Sequence, residues 1–275
     1  MEYVLNLSYG KDSMACLGAI KQLNWPLDRI VTVDVWATQD ILAELPPMIE
    51  FKKYADEKIK DMFSIQVEHF CAMKNGQKVT FEDVFYKKRT KSKGDNKLHD
   101  IHGWPFQKGP WCNDRLKTNV LDSIKDAVSY IGIAADEPNR FHCLNQSNKS
   151  PLVELGWDEN TCRSWCEENN LLSPIYSSSL RAGCWFCHNQ SVSDLRNLYK
   201  NYRQLWDLML KWDLDSPVTF KSGKMIYKKQ DGKNISCGYV EGRTLHDFDT
   251  RFRLEEEGKI DPEKRFMWKN IGIGV

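Results

Sequence analysis

"LNLSYGKDSMACL", residues 5–17, passes from an apolar strand ending through a glycine-bearing turn into a helix. Leu5 and Leu7 close a β-branched and aromatic run that begins at Tyr3. Met14, Leu17, Ile20 and Leu23 then recur every third residue, the period of a helix that buries one face. A helix start leaves backbone N–H groups unpaired and carries partial positive charge, so the turn between the two elements suits an anion. Gly10 permits close backbone approach and Lys11 adds a point charge, while Ser8 and Ser13 add hydroxyl donors. Asp12 fits the first helical turn, where it complements the dipole or helps to hold Mg²⁺. The spacing is neither G-x-x-x-x-G-K-[ST] nor G-x-G-x-x-G.

Outward from this turn, strand-like runs recur at Ile30–Val35, Ile65–Phe70 and Val128–Ile133. A long amphipathic helix is expected over Glu44–Phe63. Strands alternating with helices read as βαβ units and a parallel sheet, an α/β fold. A first α/β domain is expected over 1–180, interrupted by the basic stretch "KKRTKSKGDNK" at 87–97. That stretch is a solvated loop or a phosphate- or nucleic-acid-binding one. A helix is expected over Trp157–Asn169, and a second region, 181–275, should hold one long helix over Val192–Trp212 and a hairpin over 217–240 turning at Asp231-Gly232. The net charge of +1 excludes a global field that would steer nucleic acid or membrane. No apolar run approaches the roughly 20 residues of a bilayer span, and no secretory leader is apparent. Nine cysteines in such a chain suggest metal or redox chemistry in the cytoplasm rather than a disulfide framework.

"SYGKDS", residues 8–13, resembles the SGGxDS loop of the PP-loop superfamily, the N-type ATP pyrophosphatases and phosphoadenylylsulfate (PAPS) reductases. Tyr9 stands where that loop has its first glycine; a negative φ would accommodate it at little cost. "VDVWATQDILAELPPMIEF" (33–51), "GWPFQKGPWCNDRLK" (103–117), "YIGIAADEPNR" (130–140) and "RAGCWFC" (181–187) are similar, in order, to segments of the PAPS reductase-like branch. The resemblance spans roughly residues 1–210 and implies a doubly wound, mainly parallel five-stranded sheet of the adenine nucleotide alpha-hydrolase type. By position it implies that Ser8, Tyr9, Gly10, Lys11, Asp12 and Ser13 line phosphates, and that Asp34, Val35 and Thr38 lie near the adenosine. Asp136, Glu137 and Arg140 match a motif that sets an arginine against substrate anion, though Ala134 stands where relatives often carry a further arginine. Lys117 is expected to reach the same cleft. The catalytic candidates are therefore Lys11, Asp12, Lys117 and Arg140.

Cys184 and Cys187 are spaced to share one metal, as zinc, iron–sulfur or a redox dithiol. Cys112 is the favoured third ligand and Cys166 the fourth, with Cys162 and His188 as alternatives. The resemblance extends to relatives that modify nucleic acids with sulfur and carry a 4Fe–4S cluster, which is favoured here over Zn²⁺. "SCGYVEG", 236–242, is similar to the terminal element whose cysteine attacks sulfur in PAPS reductases, but Val240 replaces the histidine, and Cys237 is read as a hairpin residue. Three functions follow. One is an ATP pyrophosphatase-type enzyme that adenylylates a substrate using ATP and Mg²⁺, for sulfur transfer or nucleic-acid modification. The others are a PAPS reductase using Cys237 with a thioredoxin-like reductant, and a non-catalytic nucleotide sensor. A sulfur donor, a nucleic-acid substrate and a second copy of the chain are the partners these readings allow.

Overall fold

Hydrophobic runs that alternate with amphipathic helices can bury both faces of a sheet only by winding helices over it. The computed structural model describes residues 1–90, 100–106, 110–177, 183–221, 224–230, 233–240 and 242–263. The chain divides into two units, Met1–Lys87 with Pro110–Cys187, and Lys88–Gly109 with His188–Val275. The Cys184/Cys187 pair therefore belongs with the first unit, and Lys88, Arg89 and Thr90 of the basic stretch with the second. Residues 91–97 of that stretch lie outside the described residues.

In the first unit, β1 (Glu2–Asn6), β2 (Arg29–Val33) and β3 (Val67–Phe70) are followed by a small hairpin, β4 (Met73–Lys74) and β5 (Gln77–Lys78). Then come β6 (Ala127–Tyr130) and β7 (Asn148–Lys149). The main sheet has five strands, all parallel, in the order β3-β2-β1-β6-β7. Val4, Leu5, Ile30 and Val31 in its two central strands have no exposure, because helices cover both faces. The helices of this unit are α1 (Lys11–Leu23), α2 (Pro46–Phe63), α3 (Phe81–Phe85), α4 (Trp111–Asn113), α5 (Asn119–Leu121), α6 (Pro151–Leu155) and α7 (Glu159–Glu168). On α1, Met14, Leu17 and Ile20 are buried, each contributing about 1.5–3 kcal/mol of transfer free energy. Gly18 lets α7 approach: a Cβ there would lie 2.3 Å from the Trp165 ring.

The strand order reverses at β1, whose neighbours are β2 on one side and β6 on the other. Helices leave to opposite faces at such a point and open a crevice beyond the carboxyl ends of the strands. The turn quoted above ends β1 and so lies at that crevice.

The second unit contains α8 (Val192–Asn201), α9 (Arg203–Asp215), the antiparallel pair β8 (Lys224–Gln230) and β9 (Lys233–Val240), and α10 (Leu245–Glu256). The single helix expected over Val192–Trp212 is two, because Tyr202 leaves the helical region at φ −136° and ψ 56°. The break lets Tyr199 and Trp206 both meet α10, bonding Glu256 and Asp249 respectively. No proline or glycine announces it in the sequence. Trp104, Trp212 and Phe220 are fully buried together, and Asp213 accepts the Trp104 indole N–H at 2.9 Å and the Leu245 N–H at 2.8 Å. Burial pushes the Asp213 carboxyl up, against the pull of those donors. The expected hairpin is β8–β9, with Cys237 within β9; its turn at Asp231-Gly232 lies outside the described residues.

Candidate functional site

The turn after β1 folds on its own hydroxyls. Leu7 N–H still pairs with Val31 O at 2.8 Å; Ser8 N–H then donates to Ser13 Oγ at 3.1 Å, and Ser13 Oγ donates to Gly10 O at 3.0 Å. The Ser13 proton is thus used inside the turn rather than offered outward, which corrects its expected role as a free donor. Tyr9 has φ +56°, the left-handed region, where a negative value was the inexpensive expectation. Gly10 caps α1 with extended backbone and no side-chain cap. Among the described residues the N–H groups of Asp12 and Ser13 have no partner, and that of Lys11 donates to the Tyr176 hydroxyl at 3.1 Å. A helix of 13 residues therefore points two uncapped donors and its positive end outward.

These donors face a cleft of about 710 Å³ within the first unit, of a size that suits a small-molecule ligand. Val33 at the end of β2, Val35 just beyond it, and Ile131 and Gly132 after β6 line it, with Ala43, Glu44 and Met48. Gly132 is required by close approach, since a Cβ there would sit 2.6 Å from Ser13 N. The opposite end is charged. Lys11 Nζ meets Asp12 at 2.8 Å and Glu159 at 3.2 Å; burial works against its charge, but these carboxylates outweigh it and raise its pKa. Burial raises the Asp12 carboxyl in spite of Lys11. Arg140 Nη1 pairs with Glu137 at 2.7 Å, and both line the cleft. Lys117 lines it too and has no carboxylate within ion-pair distance among the described residues. It lies on a π-helical turn, Asp114–Thr118, between α4 and α5, a local widening often found at functional sites.

Other expected residues lie behind or beside the cleft. Tyr9 is fully buried. Asp34 bonds Lys52 at 2.9 Å and His69 at 2.8 Å, and these hold its carboxyl down to about 2 against burial. Thr38 Oγ1 accepts from Ile41 N–H at 3.2 Å, ordering the turn after β2. Asp136 accepts from Glu159 N–H at 3.2 Å at the start of α7. Neither is among the cleft-lining residues. Arg89, from the basic stretch, donates to the carbonyls of Ile101 and His102 in the second unit.

The four cysteines nominated as metal ligands do not assemble as one set. Cys112, Cys184 and Cys187 are near enough to disfavour one another's thiolates: burial first, then its neighbours, push Cys112 up to about 12. Burial likewise pushes Cys184, which lines the cleft, up to about 11, while Lys117 pulls it down. Cys166 lies instead beside Cys16 and Cys162 in the α1–α7 contact and donates to Lys11 O at 3.3 Å. The helical spacing of Cys162 and Cys166 gave no sign that both face α1. Among the described residues no group of three or more His, Cys, Asp or Glu is placed to hold a metal ion. Cys112, Cys184 and Cys187 thus lie near one another, and Cys166 lies with Cys16 and Cys162 instead.

Tyr176, Glu44 and Glu159 line the cleft without having been singled out in the sequence. Tyr176 sits on a 3₁₀ turn, Pro174–Ser177, in a segment that reads as plain loop. Only its distance from the phosphate-like turn in space, not in sequence, marks it. No family model, curated protein or solved structure matches this chain. No helix among the described residues is long and apolar enough to cross a membrane.

Proposed function

We propose that the cleft takes a nucleoside triphosphate, an adenine nucleotide by the PP-loop resemblance, with its phosphates at the start of α1. The sheet is then of the adenine nucleotide alpha-hydrolase type. The observation that carries this reading is the uncapped α1 N-terminus beside Gly10 and Lys11, opening at the strand-order reversal. The apolar wall of Val33, Val35 and Met48 suits a base and sugar, and the charged end suits phosphates. Lys11 and Arg140 are already paired, so the ligand must bring its own counter-charge. A magnesium–nucleotide complex does so, and Asp12 is the residue that would hold the ion, which neutralises charge on the phosphates. The reaction is adenylylation: an acceptor oxygen attacks the α-phosphorus, the bond to the bridging oxygen breaks, and pyrophosphate leaves. Lys11 and the α1 amides stabilise the negative charge that accumulates on the leaving group.

Calorimetric titration with magnesium–ATP and with pyrophosphate tests the reading. Lys11→Ala should weaken both by at least tenfold, the effect of losing one charge-assisted bond. Unchanged affinity in that variant would falsify the phosphate seat.

A further inference from the structure

The residue that departs most from the pattern of the turn is Tyr9, and it is the best anchored. Its backbone is left-handed and its side chain fully buried. The hydroxyl donates to Asp56 Oδ1 on α2 at 2.5 Å and lies 3.3 Å from His69 Nε2 on β3. His69 bridges two carboxylates, with Nε2 at 3.0 Å from Asp56 Oδ2 and Nδ1 at 2.8 Å from Asp34 Oδ2. Asp34 continues to Lys52, which bonds Glu44 at 2.7 Å and lies 4.9 Å over the Tyr9 ring. The chain of contacts thus leaves the turn, crosses α2, β3 and the end of β2, and returns beneath the same ring. Glycine would reach the left-handed region freely but would leave the turn mobile. Tyrosine reaches it under strain and is held there by burial of its own ring and by its hydroxyl bond to Asp56.

We propose that Tyr9 is a positioning residue for the anion seat: the chain Tyr9–Asp56–His69–Asp34 locks the turn that presents the α1 amides, and the lock weakens when His69 loses its proton. This rests on the reading of the cleft as a phosphate site. Asp34 after β2 and Asp56 on α2 favour the charged form of His69 against burial, while the Lys52 ammonium shares Asp34 with it and the Tyr9 hydroxyl beside it has its own ionisation pushed far upward. On its own strand Glu68 is occupied by Arg29 at 2.6 Å. His69 is raised from 6.5 to about 9 by its bonds to Asp34 and Asp56. Its contribution to stability is therefore full below pH 6.5, declines between 6.5 and about 9, and is absent above. In the folded protein the imidazolium itself is lost as pH passes about 9.

The experiment compares wild type, Tyr9→Phe and His69→Gln in pyrophosphate titrations from pH 7 to 10, and in amide hydrogen exchange of a peptide spanning 5–17 without ligand. Phe keeps the ring under Lys52 and deletes only the hydroxyl. Both variants should bind pyrophosphate about tenfold more weakly at pH 7 and exchange faster in the turn. Wild type should lose affinity relative to His69→Gln as pH rises past about 9, the variant serving as reference for ionisation of the pyrophosphate. Wild-type affinity in both variants, or superimposable pH profiles, overturns the proposal and leaves the phosphate seat standing. If wild type binds neither pyrophosphate nor ATP, the nucleotide reading falls. Exchange then decides the lock: unchanged exchange in Tyr9→Phe overturns it, and faster exchange upholds it.

Discussion

Replacing Gly132 by alanine probes the seat through its backbone. Its Cβ would lie 2.6 Å from Ser13 N and 2.9 Å from Asp12 C and Ser13 Cα, all main-chain atoms that cannot rotate away. Ordinary contact needs about 3.5 Å, so the loop after β6 and the start of α1 must part by nearly 1 Å. Overpacking of this kind costs about 1–3 kcal/mol, and a contact with backbone on both sides belongs near the top of that range. The gain from a less flexible unfolded chain offsets about 0.4–1 kcal/mol. The net loss of about 2 kcal/mol corresponds to a Tm lower by about 4–8 °C in a protein of this size. A shift of 1 Å also takes the Asp12 and Ser13 amides out of hydrogen-bond reach, so pyrophosphate affinity should fall at least tenfold. Gly183→Ala is the control for Tm, because among the described residues a Cβ there meets nothing within 4 Å. Thermal denaturation and calorimetric titration read both effects. A Gly132→Ala protein with wild-type Tm and wild-type affinity would refute the argument that this glycine fixes the seat.

Tyr176→Phe removes the hydroxyl that accepts from Lys11 N–H, and ATP affinity should drop several-fold if that hydroxyl also donates to a phosphate; higher affinity would mean that it merely blocks the amide. The thiols give a chemical test: exposed Cys143 should react with iodoacetamide first at pH 7.5, whereas Cys112 and Cys184 should react slowly and speed up towards their values of about 12 and 11. Equal rates for Cys184 and Cys143 at pH 7.5 would contradict the burial argument, and protection of Cys184 at every pH until a chelator is added would reveal a bound metal. Gly18→Ala should destabilise the α1–α7 contact, read as a lower Tm, because the Trp165 ring must move to admit the Cβ.

The α/β class was legible because it depends on periodicity, a local property. The apolar runs at Tyr3, Ile30, Ile65 and Val128 are four of the five parallel strands, shifted by up to three residues at their ends. The fifth, Asn148–Lys149, has two polar residues and no pattern to read. The helix expected over 192–212 was broken by packing against α10, a partner more than forty residues away that leaves no local mark.

The turn at residues 8–13 carried its own chemistry in sequence, since a glycine, a lysine and an uncapped helix start are adjacent in the chain. Lys117, Arg140 and Cys184 line the same cleft as that turn. What only tertiary structure decided is which groups are already spent. Ser13 folds the turn, Glu159 and Glu137 neutralise Lys11 and Arg140, and Cys166 turns towards α1 and away from Cys184. The lock on Tyr9 likewise joins residues 9, 34, 56 and 69, drawn from four elements that meet only in the folded sheet. Sequence specifies which side chains are available near a site because covalent neighbours stay neighbours. Their protonation and free donors depend on burial and on distant partners, and those are set only when the strands pair and the helices cover them.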